Sequence, residues 1–532
     1  MKIVVADDLP ASAVALLRSE RGWEVDVRSG RPLEVLLADM ADADALLVRS
    51  ATKVDARLLA AAPRLRIIAR AGTGVDNVDV PAATDRGIVV VNAPGANSIS
   101  VAEHALALML SLARSVPAAD RAMKDEKWEK RRFLGTELRG KTLGVAGLGR
   151  IGQEVAHRAR AFGMRVVAHD PFISADLATG LGVELLSLDE MCATADYMTL
   201  HLPSTPETHH LFNDERFSRC KHGLRIINTA RGDLIDPEAL HRAIDAGIVA
   251  AAALDVFETE PPTDWALAKL PQVVATPHIA ASTEEAQELV GLETAAAVRD
   301  FLREGIVRNA VNFPSLAPDV FQRLQPWIRL ADRLGALVSQ MGTARIEAIG
   351  IRYYGALADS ATSNILASSV AAGVLRPILS GGVSVVNATA AARDRGIEIV
   401  ESRSSRARHF TSLVSVKLHT SDGERWVEGT IFEPASPRLV SVRGVEVEAP
   451  LAGTLLVLSN DDRPGVIGDV GTILGRHGVN IANFGLGRGS LGVIGIVNVD
   501  EDASNASALD AAVEEIRRLP AVREARVVRL DG

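Results

Sequence analysis

Cysteine is almost absent from this chain of 532 residues, because only Cys192 and Cys220 occur. Two cysteines cannot form a disulfide framework, and this pair lacks the spacing of a metal-ligand motif. We therefore expect both to be buried or inert thiols, no metal cofactor, and a reducing location such as the cytoplasm.

Long apolar runs and long basic runs are also missing. The longest apolar segment, Val101 to Ala113, is short for a membrane span and is interrupted by Glu103 and His104. The net charge is −9 with no basic tract, which argues against nucleic acid as the main partner. The N-terminus begins directly with a strand-like run, so we expect no signal peptide. The chain is 47% hydrophobic and 23% charged, which is ordinary for a soluble globular protein.

The chain is long enough to form three or four domains. Residues 1 to about 97 alternate short β-rich runs with helical stretches, which predicts a small parallel α/β domain. A glycine-rich turn, Gly147-Leu148-Gly149-Arg150-Ile151-Gly152, follows the apolar run Leu143 to Ala146 and precedes a predicted helix over Gln153 to Phe162. A second apolar strand then ends at Asp170.

This order of strand, turn, helix, strand and acid is typical of a dinucleotide site. Gly147 permits the tight turn, Gly149 lets the backbone approach a pyrophosphate, and Gly152 allows close packing of helix and strand. The pyrophosphate would lie at the helix N-terminus, beside Arg150 and Ile151. Asp170 would accept the ribose hydroxyls and repel a 2'-phosphate, which favours NAD over NADP. Arg150 leaves NADP open, because an arginine there could contact that phosphate.

Three polar side chains follow later apolar runs at predicted strand ends: Arg231, Glu260 and His278. The carboxyl ends of strands are where open α/β sheets bind ligands. Together they would form a dehydrogenase site in which the histidine exchanges a proton with a hydroxyl while NAD takes the hydride. The glutamate would orient the imidazole, and the arginine would bind a carboxylate. Taken singly, Arg231 could equally form a surface salt bridge, Glu260 could be a solvated loop acid, and His278 could be a cap.

The motifs together resemble the D-isomer-specific 2-hydroxyacid dehydrogenases, and most closely their long phosphoglycerate dehydrogenase branch. The resembling segments are Val48 to Val54, Arg70 to Asp79, the glycine turn, Thr229 to Gly232, Ala253 to Phe257, and Pro277-His278. One departure is Ala280, which stands where that family usually has glycine and is expected to restrict the local backbone.

The resemblance implies that Arg231, Glu260 and His278 are catalytic. It implies further NAD contacts from Thr229, Ala230 and Asp255, and substrate-carboxylate contacts from Gly72, Thr73 and Gly74. A substrate phosphate needs cationic donors, for which the candidates are Arg49, Arg70, Arg131 and Arg132. The Arg131 pair could instead belong to a solvated helix face.

The implied fold class is α/β, with a Rossmann-type nucleotide domain inserted in a flavodoxin-like substrate domain. The expected domains are the substrate-binding domain (1–97, returning at 281–315), the NAD domain (98–280), an intervening α/β domain (316–450) and a ferredoxin-like ACT domain (453–532). Residues 313–326 carry three prolines and are predicted to be a linker.

In the ACT-like module, the resemblance points to Asp462 and Asn480 as ligands for an amino-acid effector such as L-serine. The alternatives are that Asp462 caps a helix and that Asn480 occupies a left-handed turn position. Residues 483–491 look like a glycine-rich variant of the ligand loop, which leaves open that the site has been lost.

The implied reaction is NAD-dependent oxidation of 3-phospho-D-glycerate to 3-phosphohydroxypyruvate, the first step of L-serine biosynthesis, in a homodimer or homotetramer. One alternative is another member of the family, such as a hydroxypyruvate or glyoxylate reductase. The roughly 200 residues after Phe313 argue against it, since simple reductases of the family end near there. A second alternative is a non-catalytic NAD-sensing binding protein, which the three polar residues do not exclude.

Overall fold

The computed structural model describes residues 1–314, 318–355, 357, 363–379, 383–404, 410–432, 435–489, 492–501 and 506–530. The chain forms two compact units. The first unit comprises Met1–Asp8, Val14–Asn92 and Thr294–Gly532, and the second comprises Leu9–Ala13 and Ala93–Glu293.

The first unit begins with a parallel five-stranded sheet whose strand order is β2-β1-β3-β4-β5. Its strands are short runs of Val, Ile, Leu and Ala, as expected for a sheet covered on both faces. They are β1 (Lys2–Val5), β2 (Glu24–Val27), β3 (Ala45–Val48), β4 (Ile67–Arg70) and β5 (Val89–Val91). The helices of this part of the chain are α1 (Ala11–Arg18), α2 (Leu33–Asp39), α3 (Ala56–Ala60) and α4 (Val80–Asp85).

The second unit is built on a parallel seven-stranded sheet with the order β12-β11-β10-β9-β6-β7-β8. The strands are β6 (Thr142–Ala146), β7 (Arg165–His169), β8 (Glu184–Leu185), β9 (Tyr197–Leu200), β10 (Leu224–Asn228), β11 (Val249–Leu254) and β12 (Val273–Ala275). The helices are α5 (Ser98–Arg114), α6 (Val116–Lys124), α7 (Arg150–Ala161), α8 (Ala175–Gly180), α9 (Leu188–Thr194), α10 (Asp214–Ser218) and α11 (Pro237–Asp245). One apolar cluster joins α5 and α7 to the sheet, and a second joins α9, α10 and α11 to it.

Helix α12 (Glu284–Glu304) follows. Beyond it the chain rejoins the first sheet: Ala310 pairs with Val91, and the Asn312 side chain accepts a bond from the Val90 amide at 2.9 Å and donates one to the Ile88 carbonyl at 2.9 Å. Among the described residues no single helix is long and apolar enough to cross a membrane, although α5 and α6, bent by 65° at their junction, pass that test as a pair.

The next part of the first unit is a six-stranded sheet with the order β14-β13-β15-β16-β17-β18. Its elements are α13 (Pro318–Gln340), β13 (Ile346–Gly355), α14 (Ser363–Leu375), α15 (Ala388–Arg393), β14 (Glu398–Ser404), β15 (Ser412–Thr420), β16 (Gly423–Phe432), β17 (Ser436–Val442) and β18 (Val445–Pro450). Helices α13 and α14 pack on this sheet through one large apolar cluster.

The linker predicted over residues 313–326 is wrong for its second half, because Pro318 is the first residue of α13 and Pro326 lies inside that helix. A first-turn proline needs no amide partner, whereas an interior proline costs about 3 kcal/mol. Burial of Phe321 and Leu324, at 8% exposure each, offsets that cost. Residues 315–317 lie outside the described part of the chain.

The C-terminal module is an antiparallel four-stranded sheet with the order β20-β21-β19-β22 and two helices. Its elements are β19 (Thr454–Asn460), α16 (Val466–Arg476), β20 (Ile481–Gly489), β21 (Gly492–Val499), α17 (Ala506–Ile516) and β22 (Val522–Arg529). The glycine-rich stretch over 483–491, interpreted from sequence as a loop, is strand β20 up to Gly489, and residues 490–491 are not described.

The glycines of β20 have a packing role. A Cβ built on Gly487 would lie 2.1 Å from the carbonyl oxygen of Glu446 in β18, and one on Gly485 would lie 2.5 Å from that of Glu448. Only glycine therefore permits β20 to lie this close to β18, the last strand of the preceding sheet. The glycine-rich composition thus serves the packing between these two modules of the first unit.

Candidate active site

The glycine turn of the second unit joins β6 to α7. Gly147 has φ +91°, and a Cβ there would lie 2.5 Å from the His201 carbonyl oxygen. A Cβ on Gly152 would lie 2.1 Å from the Gly147 carbonyl oxygen. Gly149 is different, because nothing lies within 4 Å of its Cβ position. The first and last glycines therefore close the turn, while the middle one leaves space for a ligand.

Helix α7 begins at Arg150, with Gly149 as its N-cap and no side chain capping it. The amide groups of its first turn are thus available to an anion over Gly149, and the helix dipole favours negative charge there. The exposed Arg150 side chain reaches toward the loop at Gly95, while Ile151 packs against the apolar core.

Asp170 follows β7 and lies beside the turn. Its carboxylate accepts bonds from the Leu148 amide at 2.9 Å and from the Phe172 amide at 2.9 Å. The residue is half-buried, and carboxylate oxygens accept more than one bond each, so these contacts leave acceptor capacity for a ribose. The turn and the acid together fit a dinucleotide whose pyrophosphate lies over Gly149.

The three predicted catalytic residues follow three adjacent strands, β10, β11 and β12. Parallel strands bring their carboxyl ends to one edge of the sheet, so Arg231, Glu260 and His278 converge there. The His278 Nδ1 atom lies 2.6 Å from Glu260 Oε2, and the other oxygen of Glu260 accepts the Phe257 amide at 3.0 Å. Half of the His278 side chain is exposed, so its ring can meet a ligand.

Both members of this pair have shifted acidities. The hydrogen bond to Glu260 raises the pKa of His278 above its ordinary value, against the opposing effect of burial. Burial opposes ionisation of Glu260, but the bonds from His278 and the Phe257 amide outweigh it and lower the pKa of that carboxyl. The pair therefore favours an imidazolium beside a carboxylate.

Asp255 holds the loop that carries His278. Its buried carboxylate accepts bonds from the Thr276 hydroxyl at 2.6 Å, the Ile279 amide at 2.9 Å and the Ala280 amide at 2.9 Å. Its backbone carbonyl accepts the His278 amide at 2.8 Å. The side chain predicted to contact nicotinamide is thus occupied in positioning the histidine.

Ala280, expected from the sequence to restrict the backbone, lies in the same loop. His278 adopts a positive φ of 52°, whereas Ala280 does not. Alanine in place of glycine therefore costs no backbone strain, and its amide is one of the donors to Asp255.

His104 is a neighbour of this loop that sequence reasoning did not select. Its Nε2 atom lies 3.2 Å from the Thr276 hydroxyl and 3.4 Å from Asp255 Oδ1. Burial opposes ionisation of Asp255, but bonds from His104, Thr276 and the two loop amides lower the pKa of that carboxyl. The sequence signal that could have identified His104 is its position as a polar residue within the apolar run that forms α5.

Asn228, also not selected from the sequence, shapes the loop that carries Arg231. Its side-chain nitrogen donates to the Arg231 carbonyl at 2.7 Å, and its oxygen accepts the Ala230 amide at 3.0 Å. The Arg231 guanidinium bonds to the Ala230 carbonyl at 2.7 Å, and its charge is one of the influences on the pKa of His278. Thr229 is buried in the same loop, and Gly232 lets it approach the backbone at Phe257, where a Cβ would lie at 2.0 Å.

The first unit carries other predicted substrate residues at the ends of β3 and β4. The Arg49 amide donates to Asp7 Oδ2 at 2.6 Å, and Asn77 binds the Arg49 carbonyl at 2.6 Å. The Arg70 guanidinium folds over Gly72, whose φ is +152° and whose Cβ position lies 1.7 Å from Nη1. In the adjoining Thr73-Gly74 turn, the Thr73 carbonyl accepts a bond of 2.5 Å from Asn92.

Arg131 and Arg132 lie in a short exposed turn, Lys130–Phe133, of the second unit. Arg132 pairs with Glu129 at 2.8 Å and its guanidinium lies 5.7 Å from the ring centre of Phe133.

The two predicted effector residues have other partners. Asp462 Oδ1 lies 3.3 Å from Arg488 Nε, and α16 has Gly465 as its N-cap, so the interpretation of Asp462 as a helix cap is wrong. Asn480 donates to Asp500 Oδ2 at 2.6 Å, and the left-handed residue of its turn is Gly478, with φ +72°. The left-handed interpretation of Asn480 is therefore also wrong.

Both cysteines are free and buried.

Three family models match the chain. They are the D-isomer specific 2-hydroxyacid dehydrogenase NAD binding domain over residues 106–280, the D-3-phosphoglycerate dehydrogenase intervening domain over 323–443, and the ACT domain over 454–521.

Three relatives that match over nearly their full length share a name. The D-3-phosphoglycerate dehydrogenase of Archaeoglobus fulgidus is 44% identical, with 92% of each chain covered. That of Methanocaldococcus jannaschii is 40% identical over the whole of both chains, and that of Mycobacterium tuberculosis is 45% identical over 90% of each.

Among solved structures, the TT0316 protein from Thermus thermophilus is 40% identical and covers 58% of this chain and all of its own, with a TM-score of 0.54. A D-lactate dehydrogenase from Aquifex aeolicus, complexed with NAD and lactic acid, is 32% identical and covers 59% of this chain and all of its own, with a TM-score of 0.52.

Proposed function

The chain belongs to the D-3-phosphoglycerate dehydrogenase family, and we propose that Arg231, Glu260 and His278 carry its reaction. The family, the α/β fold class and the NAD cofactor predicted from the sequence are confirmed. The reaction is the NAD-dependent oxidation of 3-phospho-D-glycerate to 3-phosphohydroxypyruvate, the entry to L-serine. Coverage of the full length of the relatives favours this reaction over that of a shorter reductase.

The observation that carries the catalytic assignment is the 2.6 Å contact between His278 and Glu260 at the end of three adjacent strands. With Nδ1 bonded to Glu260, the Nε2 atom of His278 is the atom that takes the proton of the substrate C2 hydroxyl. NAD, when bound, supplies the acceptor for the hydride from C2. Glu260 stabilises the imidazolium that results, which the raised pKa of His278 supports.

Arg231 completes the trio as the group that binds the substrate carboxylate and polarises the oxygen at C2. Its guanidinium offers a planar set of donors that matches a carboxylate, and Asn228 fixes the loop from which it extends. From the family resemblance we propose that the Gly72 to Gly74 turn of the first unit also binds substrate.

His278→Ala tests this assignment. Turnover should fall by roughly 10²- to 10⁴-fold, because a positioned acid or base contributes about that much. The variant should still bind the cofactor, which a fluorescence titration with NADH would measure. The control is His241→Ala, which removes an exposed imidazole from α11 of the same unit. Turnover of the His278 variant within a factor of about two of the wild type would contradict the assignment.

For the substrate phosphate we propose arginines outside the glycine turn, with Arg131 and Arg132 tested first and Arg49 and Arg70 next. The turn that holds the first pair is exposed, and arginine forks suit phosphate. Replacing Arg131 and Arg132 by Ala should raise KM for 3-phosphoglycerate far more than KM for an unphosphorylated 2-hydroxy acid.

A matched control for that double variant is Arg139→Ala with Arg165→Ala. It removes the same charge from other exposed positions of the second unit. Equal losses on phosphorylated and unphosphorylated substrates would assign the Arg131 pair a structural role instead.

We also propose that the ACT domain takes a small amino acid such as L-serine, with Asp462 available to an ammonium group and Asn480 to the ligand's polar ends. Both side chains are exposed, and within the described part of the chain they pair with Arg488 and Asp500. Calorimetry should show L-serine binding to the full chain and weaker binding to Asp462→Ala. No heat at millimolar serine, with rates unaffected by it, would contradict this role.

We propose from the family resemblance that the working enzyme is a homodimer or homotetramer, and its two free cysteines are compatible with the reducing cytoplasm. Sedimentation of the purified chain would give the oligomer size, and a monomer at assay concentration would contradict it.

A further inference from the structure

Two histidines and a glutamate form a cluster in the second unit that the proposed mechanism does not use. The Nε2 atom of His210 lies 3.3 Å from Glu258 Oε1, and that of His209 lies 3.9 Å from the same oxygen. One ligand atom from each of the three residues lies within 4.8 Å of the other two. All three side chains are partly exposed, at 52%, 30% and 44% for His209, His210 and Glu258, so an ion could reach them from solvent.

These spacings suit a single metal ion. Zinc binds histidine nitrogen and carboxylate oxygen at about 2.0–2.2 Å in a tetrahedron, which places neighbouring ligand atoms about 3.3–3.5 Å apart. The His210 to Glu258 distance already has that length, the His209 to Glu258 distance is longer at 3.9 Å, and the three ligand atoms lie within 4.8 Å of one another. Closing three corners of the tetrahedron requires the two imidazole rings, which lie nearly parallel at 28°, to rotate so that their lone pairs converge on one ion.

The backbone brings the two imidazoles to the same side of the chain. Consecutive side chains in an extended segment point in opposite directions, but His210 has a positive φ of 47°. As a result the two rings stack, with their centres 4.0 Å apart and their planes at 28°. Both imidazoles are therefore presented to the same neighbour, Glu258.

The turn Gly232–Leu234 holds both ligand segments. The His210 amide donates to the Asp233 carbonyl at 2.7 Å, and the buried Phe212 donates to that of Leu234 at 3.1 Å. On the other side, the Cβ position of Gly232 lies 2.3 Å from the backbone nitrogen of Glu258. The spacing between histidines and glutamate is thus fixed by one piece of backbone.

From this geometry we propose that His209, His210 and Glu258 bind a divalent transition-metal ion of the zinc class, with solvent at the remaining position. Two imidazoles favour zinc, nickel or copper over magnesium and calcium, which prefer oxygen ligands only. The site lies next to two loops of the proposed active site, because Glu258 precedes Glu260 by two residues and Gly232 follows Arg231.

Equilibrium dialysis of the full chain against zinc chloride tests the site, with the bound ion counted by atomic absorption. The wild type should bind one zinc ion per chain at this site. The double variant His209→Ala and His210→Ala should bind it more weakly by more than the 10- to 100-fold that loss of an outer partner typically costs. Glu258→Gln, which keeps the size of the side chain, should also weaken it.

Two controls make the outcome decisive. His241→Ala removes an imidazole elsewhere on the same unit and should leave the zinc affinity unchanged. His278→Ala removes the other histidine that contacts a glutamate, and it should also leave one zinc ion bound. Zinc binding that survives the loss of His209 and His210, or that disappears with His278 alone, would overturn the proposal.

The site predicts a second effect that rests on the proposed function, since Glu258 and Glu260 share a loop. An ion held by Glu258 would restrain that loop, so zinc should lower the turnover of the wild type more than that of the His209→Ala, His210→Ala variant. Equal inhibition of both would place the inhibiting ion elsewhere. The dialysis result does not depend on activity, so failure of the reaction assignment would be seen separately.

Discussion

Replacing Asp255 by Asn tests the hydrogen bonds that position the His278 loop. Besides its contact with His104, the carboxylate accepts three hydrogen bonds: Oδ1 takes the Thr276 hydroxyl and the Ile279 amide, and Oδ2 takes the Ala280 amide. An amide side chain has one acceptor oxygen. If that oxygen keeps the first two donors, its NH₂ group opposes the third, and one buried amide is left without an acceptor.

The magnitude follows from these bonds. A buried donor without a partner costs about 1–3 kcal/mol, and a bond to a charged group is worth about 1 kcal/mol more than a neutral one. One orphaned amide and two weakened bonds together cost about 3–5 kcal/mol at the loop. Because each 1.36 kcal/mol is a factor of ten, kcat should fall roughly 10²- to 10⁴-fold if the aligned loop is required.

The assay is steady-state oxidation with NAD and substrate both varied, together with NADH binding by fluorescence. Thr276→Val is the matched control, since it removes a single donor to the carboxylate and should cost about 1.5–3 kcal/mol, roughly a 10- to 100-fold loss. A kcat for Asp255→Asn within about twofold of the wild type would refute the reasoning. A raised KM for NAD with unchanged kcat would instead make Asp255 the cofactor contact that the family motif implies.

Three further predictions concern separate parts of the chain. Glu260→Gln should lower the pKa of His278, because the negative charge that favours the imidazolium is gone. Oxidation needs the neutral ring, so the acid limb of the pH–rate profile should move to lower pH. An unmoved limb would remove Glu260 from the mechanism. Asp170→Ala should weaken NAD and let NADP compete, which kcat/KM for the two cofactors would measure; an unchanged ratio would separate Asp170 from the ribose. Gly487→Val should loosen β20 from β18 and speed hydrogen exchange in both strands, and exchange equal to the wild type would mean that this close approach is not required.

The parts of the site that could be predicted are those whose chemistry is local in sequence. The glycine turn needs a positive φ at Gly147 and close packing at Gly152, and few residues other than glycine meet both demands. The convergence of Arg231, Glu260 and His278 is predictable because each follows an apolar run, and parallel strands gather such positions at one edge.

What could not be predicted depends on contacts between distant segments. The three donors to Asp255 lie 21 to 25 residues further along the chain, and two of them are backbone amides that carry no sequence signal. His104 reaches the same carboxylate from α5. The partners of the adjacent pair His209 and His210 include Glu258, 48 residues beyond His210, with no metal-binding spacing to mark them.

Two errors of secondary structure have similar causes. Prolines indicate a linker over 313–326, but burial of Phe321 and Leu324 outweighs that local preference and continues α13 through Pro326. Glycines indicate a loop over 483–491, yet they are required by the backbone of β18, a strand whose proximity no local pattern reveals.

The central claim is that this NAD-dependent site selects a phosphorylated 2-hydroxy acid. Initial rates with NAD should be measured for 3-phospho-D-glycerate, D-glycerate, D-lactate and glycolate under the same conditions. Each charge-assisted bond is worth about 1.5–3 kcal/mol, so two such bonds to the phosphate predict a kcat/KM roughly 10²- to 10⁴-fold higher for 3-phospho-D-glycerate. A kcat/KM for any of the unphosphorylated acids equal to or above that for 3-phospho-D-glycerate would contradict the account.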